Sequence, residues 1–224
     1  MRDKSKRFAL DFKSILQDNK RTAAISIAIV LFISILQNIH DGDIQKLDAI
    51  AYWLAVEKLR GPVLTPIMEG FSYLASPVVL LAMLVIISAF APGKSPAKCA
   101  TINLVSIVVI NQLLKNIVQR PRPEGYRLVS EIGYSFPSGH SMVAAAFYGF
   151  LAWLAWHYEK EKASQIIYFV VFGLLAVMVG FSRIYLGVHY ASDVLGGFCI
   201  SVAWLAFFTS VIAPLYLPHI KRKE

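Results

Sequence analysis

Cysteine is almost missing from this chain: Cys99 and Cys199 are the only two in 224 residues, and no Cys-x-x-Cys spacing exists. A disulfide scaffold, a thiol redox pair and a cysteine-based zinc site are thereby excluded, and both thiols read as small buried hydrophobes within apolar runs. Charge is also scarce, at 16% of residues against about 25% in soluble domains. The 14 acidic side chains form no cluster, which argues against a magnesium or calcium site built from carboxylates. No internal repeat, low-complexity tract or interdomain linker appears, so residues 1–224 read as one domain.

What the chain has in excess is apolar residues, 57% of the total, gathered into blocks. Six blocks have roughly the 17–25 residues that a membrane-crossing helix needs, or fall slightly short: residues 22–39, 76–90, 99–118, 141–157, 165–181 and 191–217. The second is the shortest, and its apolar character starts upstream, near residues 68–73. The first has a basic flank like a signal peptide. Gln37-Asn38-Ile39-His40 follows it in place of a small-residue cleavage site, so it reads as an uncleaved anchor. The expected fold is all-α: a polytopic bundle of six transmembrane helices. Between the first two spans, Leu47, Ile50, Ala51, Leu54 and Val56 alternate with Asp48, Glu57, Lys58 and Arg60 at near-helical spacing, up to Gly61-Pro62. That pattern predicts an interfacial amphipathic helix in the first extracytoplasmic loop.

The net charge is +8. No basic stripe interleaved with aromatics is present, which excludes nucleic acid as a partner and leaves the membrane surface. With the N-terminus inside, 14 of the 22 Lys and Arg residues fall on the cytoplasmic side: Arg2, Lys4, Lys6, Arg7, Lys13, Lys20, Arg21, Lys94, Lys98, Lys160, Lys162, Lys221, Arg222 and Lys223. Positive residues favour the cytoplasm. Both termini are therefore expected inside, with the remaining loops outside.

The polar residues of the spans concentrate at those outer ends. Lys115 to Pro123 closes the third span with Lys115, Arg120 and Arg122. An anchoring role by snorkelling explains such charges in isolation, but they lie on the side that should be poor in basic residues, and Arg and Lys also suit phosphate oxygens. Ser135-Phe136-Pro137-Ser138-Gly139-His140-Ser141 opens the fourth span. A helix N-terminus attracts anions and Gly139 admits close backbone approach; a plain capping turn fits this cluster equally well. Ser182 to Asp193 links the last two spans, with His189 and Asp193 four residues apart. On a helix that spacing shares one face, and a carboxylate on one imidazole nitrogen leaves the other free to attack. Two histidines and an aspartate also make a conceivable zinc set; the adjacent Lys and Arg would repel a cation, so no metal and no cofactor is expected. Asn103 and Asn111, polar exceptions inside the third span, are expected to bond neighbouring helices.

Lys115 with Arg122-Pro123, Pro137-Ser138-Gly139-His140, and Ser182-Arg183 with His189 and Asp193 together resemble the signatures of the type 2 phosphatidic acid phosphatase (PAP2) superfamily: K-x6-R-P, P-S-G-H and S-R-x5-H-x3-D. Every position is matched, in order, over residues 115–193. The resemblance implies a six-helix bundle and a phosphohistidine mechanism. In it His189 is the nucleophile, Asp193 orients it and His140 protonates the leaving oxygen. Lys115, Arg122, Arg183, Ser138 and the Gly139 backbone bind phosphate. It further implies a lipid phosphate substrate of the kind taken by bacterial phosphatidylglycerophosphatase-like members: phosphatidylglycerophosphate, phosphatidic acid or undecaprenyl pyrophosphate. A lipid A phosphatase or phosphotransferase shares the signatures. Acid phosphatases and vanadium haloperoxidases share their logic but are mainly soluble. A non-catalytic lipid transporter or anion-binding scaffold is the rival from another class, although transporters place polar groups near the bilayer midplane and these lie at helix ends.

Overall fold

A computed structural model describes residues 19–91 and 93–217. The basic side chains at 2, 4, 6, 7 and 13 and those at 221–223 lie outside the described residues. The described chain is helical, without strands: α1 (Lys20–Asp41), α2 (Gln45–Tyr52), α3 (Leu64–Tyr73), α4 (Pro77–Phe90), α5 (Ser95–Val118), α6 (Gly139–Tyr158), α7 (Lys162–Tyr185), α8 (Ala191–Phe207) and α9 (Ala213–Tyr216). Short π-helical stretches follow α2 at Trp53–Lys58 and α8 at Phe208–Ile212.

Among the described residues, four helical stretches are long and apolar enough to cross a membrane: α1, α5, α7 and Ala191–Tyr216. A bent pair, α3 and α4, makes a fifth, with its halves inclined by 55°. The upstream extension expected for the second span is thus a separate helix. The break is chemical: Ser76 accepts the Val79 N–H as an N-cap, and Pro77 occupies the first helical position, where its missing N–H does no harm. The remaining expected span, residues 141–157, is α6. Ten of its residues are buried, and α5, α7 and α8 surround it. A helix enclosed by protein needs less hydrophobicity than one facing lipid, which is why α6 reads as the least membrane-like. The outer helices show the converse, with Val30, Val85, Val105 and Leu174 exposed.

Small residues let α6 sit close to its neighbours: Ala144, Ala146 and Ala152 are buried along it. The two intramembrane asparagines act as expected. Asn103 donates to the Ala146 carbonyl of α6 at 2.8 Å and accepts from Trp204 Nε1 of α8 at 2.8 Å. Asn111 donates to the Pro137 carbonyl at 3.0 Å. Cys99 is fully buried and Cys199 half-buried, both as free thiols.

In the first loop, Leu47, Ile50 and Leu54 of the α2 segment point outward, as an interfacial helix requires. Two of its polar side chains turn inward, while Glu57 and Lys58 stay exposed. Asp48 is buried, and Arg60 donates to the Tyr185 carbonyl at 2.9 and 3.0 Å and to the Tyr126 carbonyl at 3.0 Å. Successive helices run antiparallel, so the ends of α1, α5 and α7 and the starts of α3, α6 and α8 meet at one end of the bundle. Lys94, Lys98, Lys160 and Lys162 lie at the other.

Asn103→Ala removes two buried hydrogen bonds that tie three helices. It is expected to cost about 1–2 kcal/mol of stability, seen as a lowered Tm in detergent, whereas Asn103→Gln retains part of it.

Candidate active site

Three local devices turn the ends of α5, α6 and α7 toward one point. At the end of α5, Gln119 takes a left-handed conformation (φ 53°), which stops the helix and sends Arg120 and Arg122 back across the bundle. At α6, Ser138 is the N-cap and its Oγ accepts from the Ser141 hydroxyl at 2.9 Å; the Phe136–Pro137 peptide before it is cis. After α7, Gly187 (φ 76°) makes the turn; a Cβ there would lie 2.7 Å from the Tyr126 carbonyl oxygen and 2.8 Å from Arg60, so no other residue fits without displacement. The turn returns His189 beneath Arg183, whose carbonyl accepts from the Val188 and His189 N–H groups.

These turns enclose a cavity of about 330 Å³ bordered by Lys115, Arg122, Glu131, Gly139, His140 and His189, with Gln112, Asn116 and Tyr134 at its rim. Asp193 stands behind His189, Ser138 behind Gly139. A Cβ on Gly139 would meet Asn111 Oδ1 at 3.0 Å, so the glycine also lets α5 approach the start of α6.

The tautomer of His189 follows from its two neighbours. Nε2 lies 3.1 Å from Arg122 Nη1. A guanidinium only donates, so Nε2 carries the lone pair. Nδ1 lies 3.3 Å from Asp193 Oδ2 and holds the proton. The same carboxylate oxygen accepts the Tyr190 N–H at 2.9 Å; Asp193 is at once a helix cap and the partner of the imidazole. Burial lowers the His189 pKa to about 4, the Asp193 bond and charge working against that fall and the arginines adding to it. The ring is therefore neutral at physiological pH.

Opposite the imidazole, one carboxylate gathers the cations. Glu131 pairs with Arg183 Nη2 and lies 3.6 Å from Arg122 Nη2. Burial alone would raise its pKa, but Arg183, His140 and Arg122 outweigh that and hold it below the ordinary glutamate value. Arg122 is anchored by the Val188, Gly133 and Ile132 carbonyls, Arg183 by the Ser72 hydroxyl, and Lys115 by the Tyr134 carbonyl. Arg183 Nε is the single buried side-chain polar atom without a partner among the described residues. No set of three His, Cys, Asp or Glu side chains among the described residues is arranged to hold a metal.

Sequence reasoning placed Lys115, Gly139, His140, Arg122 and His189 at the cavity, and Arg183 reaches it through Glu131. It missed Glu131, Ser72 and Asp48, and it grouped Arg120 with the basic residues closing the third span without giving it a role of its own. Glu131 had one available signal, an acidic residue in a short loop flanked by basic signatures. Ser72 and Asp48 have none short of the tertiary contacts.

An all-helical membrane bundle with a histidine–aspartate pair facing clustered cations at one end is the class that fold and site define. The chain belongs to the PAP2 superfamily, whose profile matches residues 97–216. It is 37% identical to phosphatidylglycerophosphatase B of Bacillus subtilis, over 80% of this chain and 89% of that protein. It is 34% identical to human dolichyldiphosphatase 1 over 48% of this chain and 50% of that one. Among solved structures, the transmembrane PAP2-type phosphatidylglycerolphosphate phosphatase from Bacillus subtilis superposes with a TM-score of 0.79 at 30% identity. That match covers 89% of this chain and 98% of the other.

The His189 assignment is open to test by 15N NMR of histidine-labelled protein. The expected signals are those of a neutral ring protonated at Nδ1, unchanged from neutrality down to about pH 5, because a lowered pKa postpones charging to more acid solution. Titration near the ordinary histidine value would contradict the burial argument.

Proposed function

We propose that this chain is a membrane phosphatase that hydrolyses a lipid phosphomonoester or pyrophosphate through a phosphohistidine. One observation carries this reading: Arg122 and Arg183, from separate signatures, close on the same carboxylate in front of the lone pair of His189. A carboxylate bridging two guanidinium groups marks a seat for an oxyanion, and a phosphate fits it with an oxygen to spare. The unpartnered Nε of Arg183 adds a donor.

In this mechanism the phosphoryl group displaces Glu131 from the arginines. Nε2 of His189 attacks phosphorus while the bond to the lipid oxygen breaks; His140, charged as imidazolium by the phosphate dianion beside it, gives a proton to that oxygen and is left neutral. Asp193 stabilises the positive charge growing on the ring through Nδ1–H. Water then attacks phosphorus, His140 takes a proton from it, the P–N bond breaks and phosphate leaves. Lys115, Arg122, Arg183 and the start of α6 hold the equatorial oxygens, where charge accumulates. Ser138 keeps that helix start in place as its cap.

The cavity rim supports a lipid substrate. Gln112 and Asn116 share the final turns of α5 with Leu113 and Ile117, both strongly exposed, so an acyl chain can lie along the helix while its phosphate enters sideways. The names of the relatives point the same way, toward phosphatidylglycerophosphate or a polyprenyl pyrophosphate. A lipid A 1-phosphatase of Rhizobium johnstonii, 29% identical over 46% of this chain and 42% of that protein, keeps lipid A as the second substrate to try. With α6 counted as a crossing, the chain spans six times. Both termini are then cytoplasmic, and the site opens on the extracytoplasmic face.

His189→Ala is expected to abolish phosphate release from a panel of lipid phosphates. Asp193→Asn should lower kcat by about 10⁴-fold with KM little changed, since the wrong tautomer is then stabilised. Near-normal turnover in either variant would remove the nucleophile assignment. Activity in detergent should survive EDTA; loss reversed by zinc or magnesium would replace this mechanism with a metal-assisted one.

A further inference from the structure

Arg120 fills an unspecified position of the first signature, Asp48 lies outside all three, and neither borders the cavity that holds the histidines. They nevertheless determine where Asp193 stands. Arg120 Nη1 donates to Asp193 Oδ1 at 2.6 Å and to the Ser192 hydroxyl at 2.7 Å, and its Nη2 donates to Asp48 Oδ2 at 2.8 Å. Asp48 completes the ring: its Oδ1 accepts the Ser192 N–H at 2.9 Å and its Oδ2 the Ser192 hydroxyl at 2.7 Å. The guanidinium also lies over the Tyr190 ring, 4.0 Å from its centroid. The side chains of Arg120, Asp48 and Asp193 are 12%, 5% and 0% exposed, so water screens these charges weakly.

We infer that Arg120 and Asp48 are positioning residues for the nucleophile: Arg120 clamps one oxygen of Asp193 so that the other stays on His189 Nδ1, and Asp48, from the first-loop helix, clamps Arg120. A carboxylate bonded through one oxygen alone rotates about its last torsion, which is broad. Charge-assisted bonds on both oxygens stop that rotation. The arginine also separates two buried carboxylates that would otherwise repel across Ser192. A helix remote in sequence and lying at the membrane surface thereby orients the imidazole without touching substrate. The inference rests on the reading of His189 as nucleophile. Were that reading wrong, His189→Ala would keep turnover; were only this inference wrong, His189→Ala would be inactive while the variants below behaved normally.

The test uses the full chain purified in detergent, with dioctanoyl phosphatidic acid as probe, measuring kcat, KM, the pH dependence of kcat/KM and Tm. The charged and titratable groups facing the His189–Asp193 pair are Lys115 from α5, Arg120 and Arg122 from the segment after α5, Glu131 from the loop before α6, His140 from α6, Arg183 from α7, Asp48 from α2 and Tyr190 on the same turn. Arg120→Gln removes one positive charge from this set, so protonation of His189 becomes easier and the acid limb of the profile moves to higher pH. Its kcat is expected to fall about 100-fold, with KM within about twofold, as for a displaced reacting group. Asp48→Asn should lower kcat by roughly 10-fold, and the double variant should be no worse than Arg120→Gln alone, because the two act in series. Arg120→Lys, which keeps the charge but not the fork, should recover part of kcat and restore the acid limb. Unchanged kcat and acid limb in Asp48→Asn, even with a lower Tm, would reduce the network to helix docking. A raised KM at constant kcat would place Arg120 on the substrate, and multiplicative losses in the double variant would break the proposed series; each of these overturns the inference. If Arg120→Gln does not fold, Asp48→Asn and Arg120→Lys decide.

Discussion

Asp193 carries a charge with no exposed surface at the end of an apolar bundle. An ion removed from water this completely persists only if bonded on every side. Its partners are the Tyr190 N–H, the His189 ring and the Arg120 guanidinium. Each brings a constraint: the first starts α8, the second sets an imidazole tautomer, and the third recruits Asp48 and with it the first-loop helix. One buried carboxylate thereby links the start of a helix, the lone pair of an imidazole and the first-loop helix.

The membrane explains why so much polarity sits in so small a volume. Spans that face lipid must be apolar nearly throughout, so the groups available for chemistry are those at helix ends. At helix starts, free backbone N–H groups and the positive end of the dipole also favour an anion. Antiparallel packing of α5 to α8 brings two such starts, those of α6 and α8, to the C-terminal ends of α5 and α7, whose following turns supply cationic side chains. Turns with left-handed residues at Gln119 and Gly187 redirect the chain so that Arg122 and His189 face each other rather than solvent. Glu131 balances the cations of the site, and under the proposed function it occupies the place a phosphate would take. Substrate binding on this view is an exchange of one anion for another, without a large uncompensated charge at any stage.

The two inward-turned polar side chains of the first loop show where pattern reading fails. Asp48 and Arg60 alternate with apolar residues as a solvated face would, yet Asp48 is buried on Ser192 and Arg120, and Arg60 on backbone carbonyls. At a membrane interface the apolar face is the outer one. Asp48 and Arg60 then meet protein while Glu57 and Lys58 stay exposed, and sequence periodicity cannot tell which polar residues turn inward. The bend between α3 and α4 is a similar case: Ser76-Pro77 announces a helix start, but the 55° change of direction, with α3 packed on α7, is not written in those two residues. Ser138 has two roles open to it by sequence, and its oxygen here caps α6 by accepting from Ser141.

The sequence alone determined the helical membrane class, the positions of the helices to within a few residues and the three signature clusters. It could do so because hydrophobic runs of bilayer length, helix caps and the four-residue spacing of His189 and Asp193 are local properties, written in neighbouring residues. Only the tertiary structure decided which charges meet. Glu131 lies against Arg183 across 52 residues of chain and Asp48 against Ser192 across 144, and such pairings depend on how helix ends converge. A carboxylate in a loop looks the same in sequence whether water or an arginine completes it; the difference is the free energy of burial, which exists only once the bundle has closed around it.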